Sequence, residues 1–460
     1  MKGKDRKKKD YAQLPIVNEG AAGIDVGASF HMVSIGQKRN KDVRKFGVYT
    51  EDLHELASWL IDNDIRTVAM ESTGSYWKGL WRILQDYGLE VVLVNGKLWK
   101  KEQKSDVLDS MWLQQLHSLG LLKGSYLPDN LTEQLKHYWR HRQQLISNAG
   151  DYVRRMQKAL RLMNIRLDNV LADVVGASGK AIIEAILAGQ RDSGQLIKLV
   201  HKNVKKSREE ILKALQGDWR EEHLFELQQC YEIYQALEQK RLECDERIDQ
   251  VLNQRVEKSA QQRQLLQDSK AVVKRKRKNK NDPQFNIQHL SYALFDGIDL
   301  SAAPGASHGL LLTFLSEVGT TVDAFPSGDH FASWLKLCPN NKVSGGKRIS
   351  SKARKTNNPL ALALRHSANA IGTHDKGPLG SFFKRVAFRS GRQAAIVATA
   401  RKLAVILWNM ISKKQPYQYM ENEEYERKLR EQKIRIINKQ IQRFDLQQQE
   451  LNFDEIASVA

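Results

Sequence analysis

The sequence Gly23-Ile-Asp-Val-Gly27 is a short apolar run that carries a single carboxylate, Asp25. A run of this kind is typical of a buried strand. A second run, Thr67-Val-Ala-Met-Glu71, ends on a carboxylate and is followed at once by Ser-Thr-Gly. Asp106 and Asp109 lie three residues apart at the start of a predicted helix, so both side chains project from one face. The first quarter of the chain therefore carries two carboxylates on strands and two on a helix.

These four carboxylates can converge on one site if the strand ends and the helix face meet. Carboxylates that converge without cations repel one another, so convergence predicts Mg²⁺ or Mn²⁺ bound through oxygen. Two such ions about 3.5–4 Å apart assist phosphoryl transfer. Each residue taken alone fits a helix cap or a turn better, and only the combination favours a metal site. The predicted metal ligands and catalytic carboxylates are Asp25, Glu71, Asp106 and Asp109.

The elements around these carboxylates follow the order of an RNase H-like (RuvC-like) fold, whose nucleases use this kind of carboxylate cluster. Further strands and helices are predicted by apolar runs and by helical spacing. The strands are at His31–Ile35, Val43–Tyr49 and Val91–Val94, and the helices are at Leu53–Ile61 and Tyr76–Tyr87. The rest of the chain is mainly helical in pattern, so the predicted fold class is α/β plus α.

Long helical patterns follow this first domain. A helix is predicted from Leu131, and the stretch from Leu224 to Val251 approximates a 3-4 apolar spacing with one slip. That stretch fits an antiparallel hairpin, an oligomerising coiled coil or a plain core helix. The predicted segments are a basic N-terminal tail (1–19), the RuvC-like domain (20–129), a helical and coiled-coil region (130–268), a basic linker (269–289), a mainly helical C-terminal domain with a serine loop (290–415) and a charged helical tail (416–460).

The net charge indicates a polyanionic partner. The 460 residues carry 73 Lys and Arg against 53 Asp and Glu, a formal charge of +20, and such an excess favours phosphate binding through counterion release. No apolar run approaches the about 20 residues of a membrane-spanning helix, and the basic N-terminus has no apolar segment after it, so neither a membrane protein nor a secretory signal is expected. Three scattered cysteines, Cys230, Cys244 and Cys338, fit a reducing cytoplasm.

Basic residues cluster in three places. They lie on the helix from Leu131, in a run at 274–280 that is typical of a mobile linker touching phosphate, and in a glycine-containing loop. The predicted nucleic-acid contacts are Arg140, Arg154, Arg155, Lys158, Arg161, Lys274, Arg275, Lys276, Arg277, Lys347, Arg348, Lys352, Arg354 and Lys355.

Ser344 stands before two glycines in that loop, Leu337-Cys-Pro-Asn-Asn-Lys-Val-Ser-Gly-Gly-Lys-Arg348. A serine in such a position has an exposed, mobile hydroxyl with cations nearby to bind a phosphate. Composition alone favours a glycine turn in a phosphate-contacting loop over a nucleophile.

The chain resembles the DEDD transposases of insertion sequences, the family of RNA-guided serine recombinases, in the branch with subterminal inverted repeats. The resemblance rests on motifs in a fixed order along nearly the whole chain. They are Gly-Ile-Asp25, Ala-Met-Glu71-Ser-Thr-Gly, Lys104-Ser-Asp106-Val-Leu-Asp109, Asp173-Val-Val-Gly-Ala-Ser-Gly179, Ala188-Gly-Gln-Arg-Asp192, Ser316-Glu-Val-Gly319 and the Ser344-Gly-Gly-Lys loop. One departure is Pro304-Gly-Ala-Ser-His-Gly309, where the family often has a Pro-Gly-Ile-Gly-like turn.

The resemblance implies both a mechanism and partners. Asp25, Glu71, Asp106 and Asp109 would bind the metals, and Ser344 would attack DNA to form a 5′-phosphoserine link. Segment 290–415 would be the transposase domain. A noncoding guide RNA from the element would pair with donor and target DNA. The protein would act as a dimer or tetramer with composite active sites, in the bacterial cytoplasm on the nucleoid.

Two alternatives remain open from the sequence. A RuvC-like, metal-dependent Holliday-junction nuclease would share the carboxylates and use water in place of Ser344. A non-catalytic RNA-binding scaffold would keep the fold without activity, but the complete set of four carboxylates argues against it.

Overall fold

The structure is a computed structural model that describes residues 15–72, 74–94, 105–418 and 422–444. Most of the predicted N-terminal tail and the end of the charged tail lie outside the described residues, as do Thr73 and Lys104 of the quoted motifs. The chain forms two compact units, one ending at Leu127 and one beginning at Pro128. The first is a mixed α/β unit and the second is mostly helical, which confirms the predicted class at that level. The finer six-segment division stays a prediction.

The first unit is built on a mixed sheet with five strands among the described residues, in the order β3-β2-β1-β4-β5. Strand β1 is antiparallel to β2 and parallel to β4, β2 is antiparallel to β3, and β4 is parallel to β5. The predicted elements are confirmed with ends that differ by a few residues. They are β1 (Ala21–Val26), β2 (His31–Ser34), β3 (Val43–Phe46), α1 (Thr50–Asp62), β4 (Thr67–Glu71), α2 (Trp77–Asp86), β5 (Glu90–Val94) and α3 (Asp106–Ser118).

Strand alternation gives the sheet two different faces. Ile24 and Met70 project into an apolar core formed with α1 and α2, where Leu56 and Leu84 are fully buried. Gly23 and the other residues in phase with it face α3 instead. A Cβ atom on Gly23 would lie 2.3 Å from a backbone nitrogen of α3, so only glycine allows this close packing.

Two long helices form an antiparallel pair in the second unit: α4 (Asn130–Leu162) and α9 (Glu221–Glu257). The helix predicted from Leu131 is therefore confirmed, and the 3-4 stretch lies within α9. Near the start of α4, the fully buried Arg142 donates to Asp245 near the end of α9, at 2.6 and 3.2 Å. Near the end of α4, Met156 shares a core with Leu227 near the start of α9. The α9 stretch thus packs within the unit against α4.

Further helices and a hairpin complete the second unit. They are α5 (Leu167–Val170), α6 (Ala177–Leu187), α7 (Ser193–Leu196), α8 (Arg208–Ala214), α10 (Ala260–Val272), α11 (Ile287–Leu294), α12 (His308–Glu317), α13 (Gly328–Trp334), β6 (Lys342–Ser344), β7 (Lys347–Ser350), α14 (Pro359–His374), α15 (Pro378–Ser390), α16 (Arg392–Ser412) and α17 (Asn422–Phe444).

The basic run at 274–280 forms hydrogen bonds with other residues of the second unit. Gln288 holds it on both sides: its Oε1 accepts from the backbone N–H of Lys276 at 3.0 Å, and its Nε2 donates to the carbonyl of Lys274 at 3.0 Å. The Lys276 ammonium donates to the carbonyl of Ala306 at 2.7 Å. Charge density along a sequence predicts solvation and does not reveal these specific hydrogen bonds, and the linker assignment for residues 269–289 stays a prediction.

Helix α16 bears on the expectation that no segment spans a membrane. By length and composition alone it could cross a membrane, although the sequence was expected to contain no such run. Its Leu403 and Leu407 are buried in the helical core of the second unit, and it carries Arg401 and Lys402 near its middle. These two cations interrupt the apolar run, so the sequence shows no continuous apolar stretch of that length.

Candidate active site

The strand register brings Asp25 and Glu71 together. Gly23 pairs with Ala69 and Ile24 with Met70 in the parallel β1–β4 ladder, so Asp25 and Glu71 occupy the next position on neighbouring strands. Because side chains alternate along a strand, both carboxylates project on the face that Gly23 opens to α3. They also lie at the carboxyl ends of their strands, where parallel strands place their functional groups.

Contacts along α3 fix its direction across this face. At its C-terminal end, the His117 ring is 2.9 Å from the Thr67 hydroxyl at the start of β4. Gln114 donates to the carbonyl of Ala21, the first residue of β1, at 3.1 Å. The helix therefore runs opposite to these strands, and its first turn lies toward their carboxyl ends. That turn carries Asp106 and Asp109.

The pKa of Asp25 shows that the four carboxylates interact. Burial of Asp25 is the largest cause that raises this pKa from 3.8 to about 6, followed by the charges of Asp106, Glu71 and Asp109. Among the described residues, the charges that shift this pKa are those of the three other carboxylates. The N-terminus of α3 favours negative charge on its own first turn, whereas Asp25, on a strand, has no such support. The three other carboxylates are thus close enough to Asp25 to disfavour its ionised form, and the metal site itself stays a prediction.

The donor set fits a hard divalent cation. Carboxylate oxygens are the ligands that Mg²⁺ and Mn²⁺ prefer, and a positive ion would relieve the repulsion at Asp25. Among the described residues, no three His, Cys, Asp or Glu side chains are close enough together to hold a metal ion as they stand. The carboxylates are therefore electrostatic neighbours whose side chains must move inward to coordinate one. Residues 95–104, immediately before α3, lie outside the described part of the chain.

Ser344 lies at the tip of the β6–β7 hairpin in the second unit. Gly345 and Gly346 form its two-residue turn with φ of 54° and 76°. Positive φ at both positions is typical of the hairpin turns that match strand twist, and glycine adopts it without strain. A Cβ atom at either glycine would meet nothing within 4 Å, so the turn requires glycine for its backbone conformation alone. The serine is exposed, as the sequence predicts.

Two neighbouring serines lie farther along the same segment. The Ser350 hydroxyl accepts a hydrogen bond from the backbone N–H of Lys352 at 3.3 Å. Ser350 and Ser351 follow the turn, at and beyond the end of β7, whereas Ser344 immediately precedes it. Pro339 and Ala353 form an isolated bridge that closes the base of the hairpin.

The predicted basic contacts on α4 differ in their availability. Arg140 donates to Glu317 at 2.7 Å, and Arg161 pairs with Asp168 at 2.8 Å. Arg155 stacks over the Tyr152 ring at 5.2 Å and lines a surface cleft with Arg154 and Lys158, although Arg154 also pairs with Asp151. The cleft is thus the part of α4 best suited to phosphate.

The other predicted contacts are also unequal. Lys276 turns inward, where burial lowers its pKa and the Asp299 charge opposes that shift, so this side chain is not placed to meet phosphate. Lys347 is exposed on the hairpin, and the Arg348 side chain lies outside the described atoms. The remaining predicted contacts are exposed: Lys274, Arg275, Arg277, Lys352, Arg354 and Lys355.

Comparison with known families gives the class of this protein. A transposase model of the DEDD type matches residues 22–165, and a second transposase model matches residues 299–378. The first match contains all four carboxylates, and the second contains Ser344. The protein is therefore a transposase. It belongs to the IS110 family of DEDD transposases, the second match being described as the IS116/IS110/IS902 family, and the resemblance seen in the sequence is confirmed. No curated protein matches the chain.

Proposed function

We propose that this transposase is an RNA-guided DNA recombinase that cleaves and exchanges strands through a 5′-phosphoserine intermediate on Ser344. The observation that carries the proposal is the raised pKa of Asp25, since it reports three other carboxylates around a partly buried one. The strand order β3-β2-β1-β4-β5, with α3 across one face, supports an RNase H-like assignment for the first unit. The exposed Ser344 before a Gly-Gly turn supports its role as the nucleophile.

The chemistry conserves bond energy. The Ser344 oxygen attacks phosphorus in line, the bond from phosphorus to the 3′ oxygen breaks, and that oxygen takes up a proton. The 3′-hydroxyl of a partner strand then attacks the phosphoserine, and Ser344 leaves and regains its proton. Exposed cations near the hairpin, Lys347 and Lys352, hold the phosphate in position.

The four carboxylates would hold Mg²⁺ or Mn²⁺. Bound there, the metal would supply neutralisation of developing charge and activation of the attacking oxygen. Asp25, Glu71, Asp106 and Asp109 would be the residues that hold it, and the partial burial of Asp25 would shield the charged site partly from water. Because Ser344 and the carboxylates belong to different compact units, a composite site made from two subunits of a dimer or tetramer is compatible with the chain.

The partners of the protein follow from its class and charge. DNA is the substrate that a transposase implies. The formal charge of +20 and the cleft at Arg154, Arg155 and Lys158 support binding of a structured guide RNA. Such a protein would work in the bacterial cytoplasm, on nucleoid DNA.

A covalent adduct tests the proposal. Incubation with guide RNA, Mg²⁺ and end-labelled DNA should give a species that survives a denaturing gel and disappears on protease treatment. Ser344→Ala should abolish it, and the matched controls Ser350→Ala and Ser351→Ala should retain it. Cleavage with free 5′-phosphates and no adduct would instead establish a junction nuclease that uses water. An adduct that persists in Ser344→Ala would move the nucleophile to another residue.

A further inference from the structure

A large groove lies in the second unit beside the serine hairpin. It has a volume of about 1490 Å³ and is lined by the segment after β7 and by helices α14, α15 and α16. Pockets for small molecules measure about 300–1,000 Å³. The size of the groove therefore suits a stretch of a polymer better than a small ligand.

Both walls of the groove are basic. Lys352, Arg354 and Lys355 lie on the wall that continues from the hairpin. Arg365, Arg389, Arg401 and Lys402 lie on the helices opposite. Among the described residues that line the groove, Asp329 is the single acid, and it is already paired with Arg401 at 2.9 Å.

Several of these cations lack an acidic partner. Lys352, Lys355, Arg365 and Arg389 form no ion pair with any residue that the structure describes. The Nε of Arg365 is buried without a hydrogen-bond partner. Four cations without an acidic partner among the described residues attract a polyanion.

The floor of the groove is apolar, and this feature favours a single-stranded nucleic acid over a duplex. It is formed by side chains such as Leu379, Phe382, Val397 and Ile406. The Lys402 ammonium lies 4.4 Å from the centre of the Phe382 ring, so a cation and an aromatic face form one continuous surface. A duplex presents phosphates and sugars outward and keeps its bases paired inside. An apolar floor between basic walls instead matches a single strand, whose bases stack on aromatic side chains while its phosphates meet cations.

We propose that this groove binds an unpaired DNA strand, with phosphates on the walls and bases on the floor. The groove begins at the segment directly after the hairpin that carries Ser344, so the bound strand would lead toward the serine. This inference rests on the proposed function for the kind of nucleic acid it names. The proposal assigns five residues to substrate binding: Arg365, Arg389, Arg401, Lys402 and Phe382. None of them lies in a basic run that would mark it as a binding residue in the sequence.

Matched variants on the same helices test the groove. Arg389→Gln with Lys402→Gln removes two wall cations, and Lys384→Gln with Lys413→Gln removes the same charge from α15 and from the end of α16 outside the groove. Phe382→Ala removes the aromatic floor, and Phe388→Ala removes a ring on α15 that is 97% exposed and does not line the groove. Circular dichroism and thermal melting establish that each variant is folded.

The measurement is site-specific photo-crosslinking to the full-length protein. The protein is freed of RNA by nuclease and high salt, and is mixed without divalent ions with short single-stranded DNA carrying a photoreactive thymidine analogue. Mass spectrometry should locate crosslinks in α15 and α16. Phe382→Ala should reduce them about tenfold. The double variant Arg389→Gln with Lys402→Gln should also change the salt dependence of crosslinking. The slope of log binding affinity against log salt concentration should become shallower by about 1.4, since each of the two lost phosphate contacts on a single strand contributes about 0.7. Both control variants should match the wild type.

Several results would overturn the inference. Equal crosslinking by duplex DNA would remove the preference for a single strand, and stronger crosslinking by RNA of the same sequence would assign the groove to RNA. Absence of crosslinks in α15 and α16 at every DNA concentration would show that the groove does not bind a DNA strand. Ser344→Ala separates the two proposals. It should abolish the adduct and leave groove crosslinks intact, whereas an adduct without groove crosslinks would refute the groove alone.

Discussion

The raised pKa of Asp25 predicts that Asp25→Asn stabilises the metal-free first unit while abolishing catalysis. The rise from 3.8 to about 6 corresponds to roughly 3 kcal/mol of unfavourable free energy for the ionised carboxyl. Asp25 is only partly buried, so solvent screening reduces the expected effect to about 1–2 kcal/mol. Asparagine keeps the shape of the side chain and removes its charge.

The effect has a defined pH dependence. Above pH 6 Asp25 is ionised in both the folded and the unfolded protein, so the folded state carries the whole penalty. Below pH 3.8 it is protonated in both states, and the penalty disappears. The wild type therefore gains stability relative to Asp25→Asn as the pH falls from 6 to 3.8, and the advantage of the variant is complete at pH 7.

Local hydrogen exchange is the suitable assay, because a chain with two units need not unfold in one transition. In a chelator at pH 7, amides of β1 and β4 should exchange about 5–30-fold more slowly in Asp25→Asn than in wild type. Asp62→Asn, on an exposed residue at the end of α1, is the matched control and should change nothing. Added Mg²⁺ should slow exchange in the wild type and reduce the difference. Unchanged or faster exchange in Asp25→Asn at pH 7, or a difference that persists at pH 3.5, would refute the electrostatic reasoning.

Three further predictions concern the same surfaces. Alanine at Asp25, Glu71, Asp106 or Asp109 should abolish strand cleavage in a folded protein, since each loss removes a metal ligand; activity within tenfold of wild type for two of the four would contradict the assignment. Gly23→Ala should push α3 away from β1 and thereby lower the pKa of Asp25 toward 3.8, which a carboxyl ¹³C NMR titration would measure. An unchanged titration would show that α3 does not position Asp106 and Asp109. Reversing the charges of Arg154, Arg155 and Lys158 together should weaken retention of guide RNA in a salt-dependent manner. A wild-type protein that purifies from its host with no discrete RNA would contradict RNA guidance.

Local pattern was enough to predict the elements of the first unit, because apolar runs and helical spacing are properties of neighbouring residues. The convergence of the carboxylates could also be anticipated, since Asp25 and Glu71 each lie at a strand end. The direction of α3 could not be predicted from pattern. It depends on Gly23, whose missing side chain admits the helix backbone, and on the contact between His117 and Thr67, 50 residues apart in the chain. A glycine two positions before the aspartate in a strand was the available signal for that close approach.

The predicted nucleic-acid contacts differ in how available their charges are, and the reason is physical. Charge density along a sequence counts cations without showing which of them are already neutralised. Arg140 is held by Glu317, and Lys276 donates to a buried carbonyl, although both lie among the predicted contacts. Arg389 and Lys402 lie in no basic run, yet folding brings them to one groove. A polyanion gains most from cations that have no partner in the free protein, because it then displaces no existing ion pair. Neutralising Arg365 and Arg389, which form no ion pair with any described residue, should therefore impair single-strand binding more than neutralising Arg140 and Lys276, despite the equal change in charge.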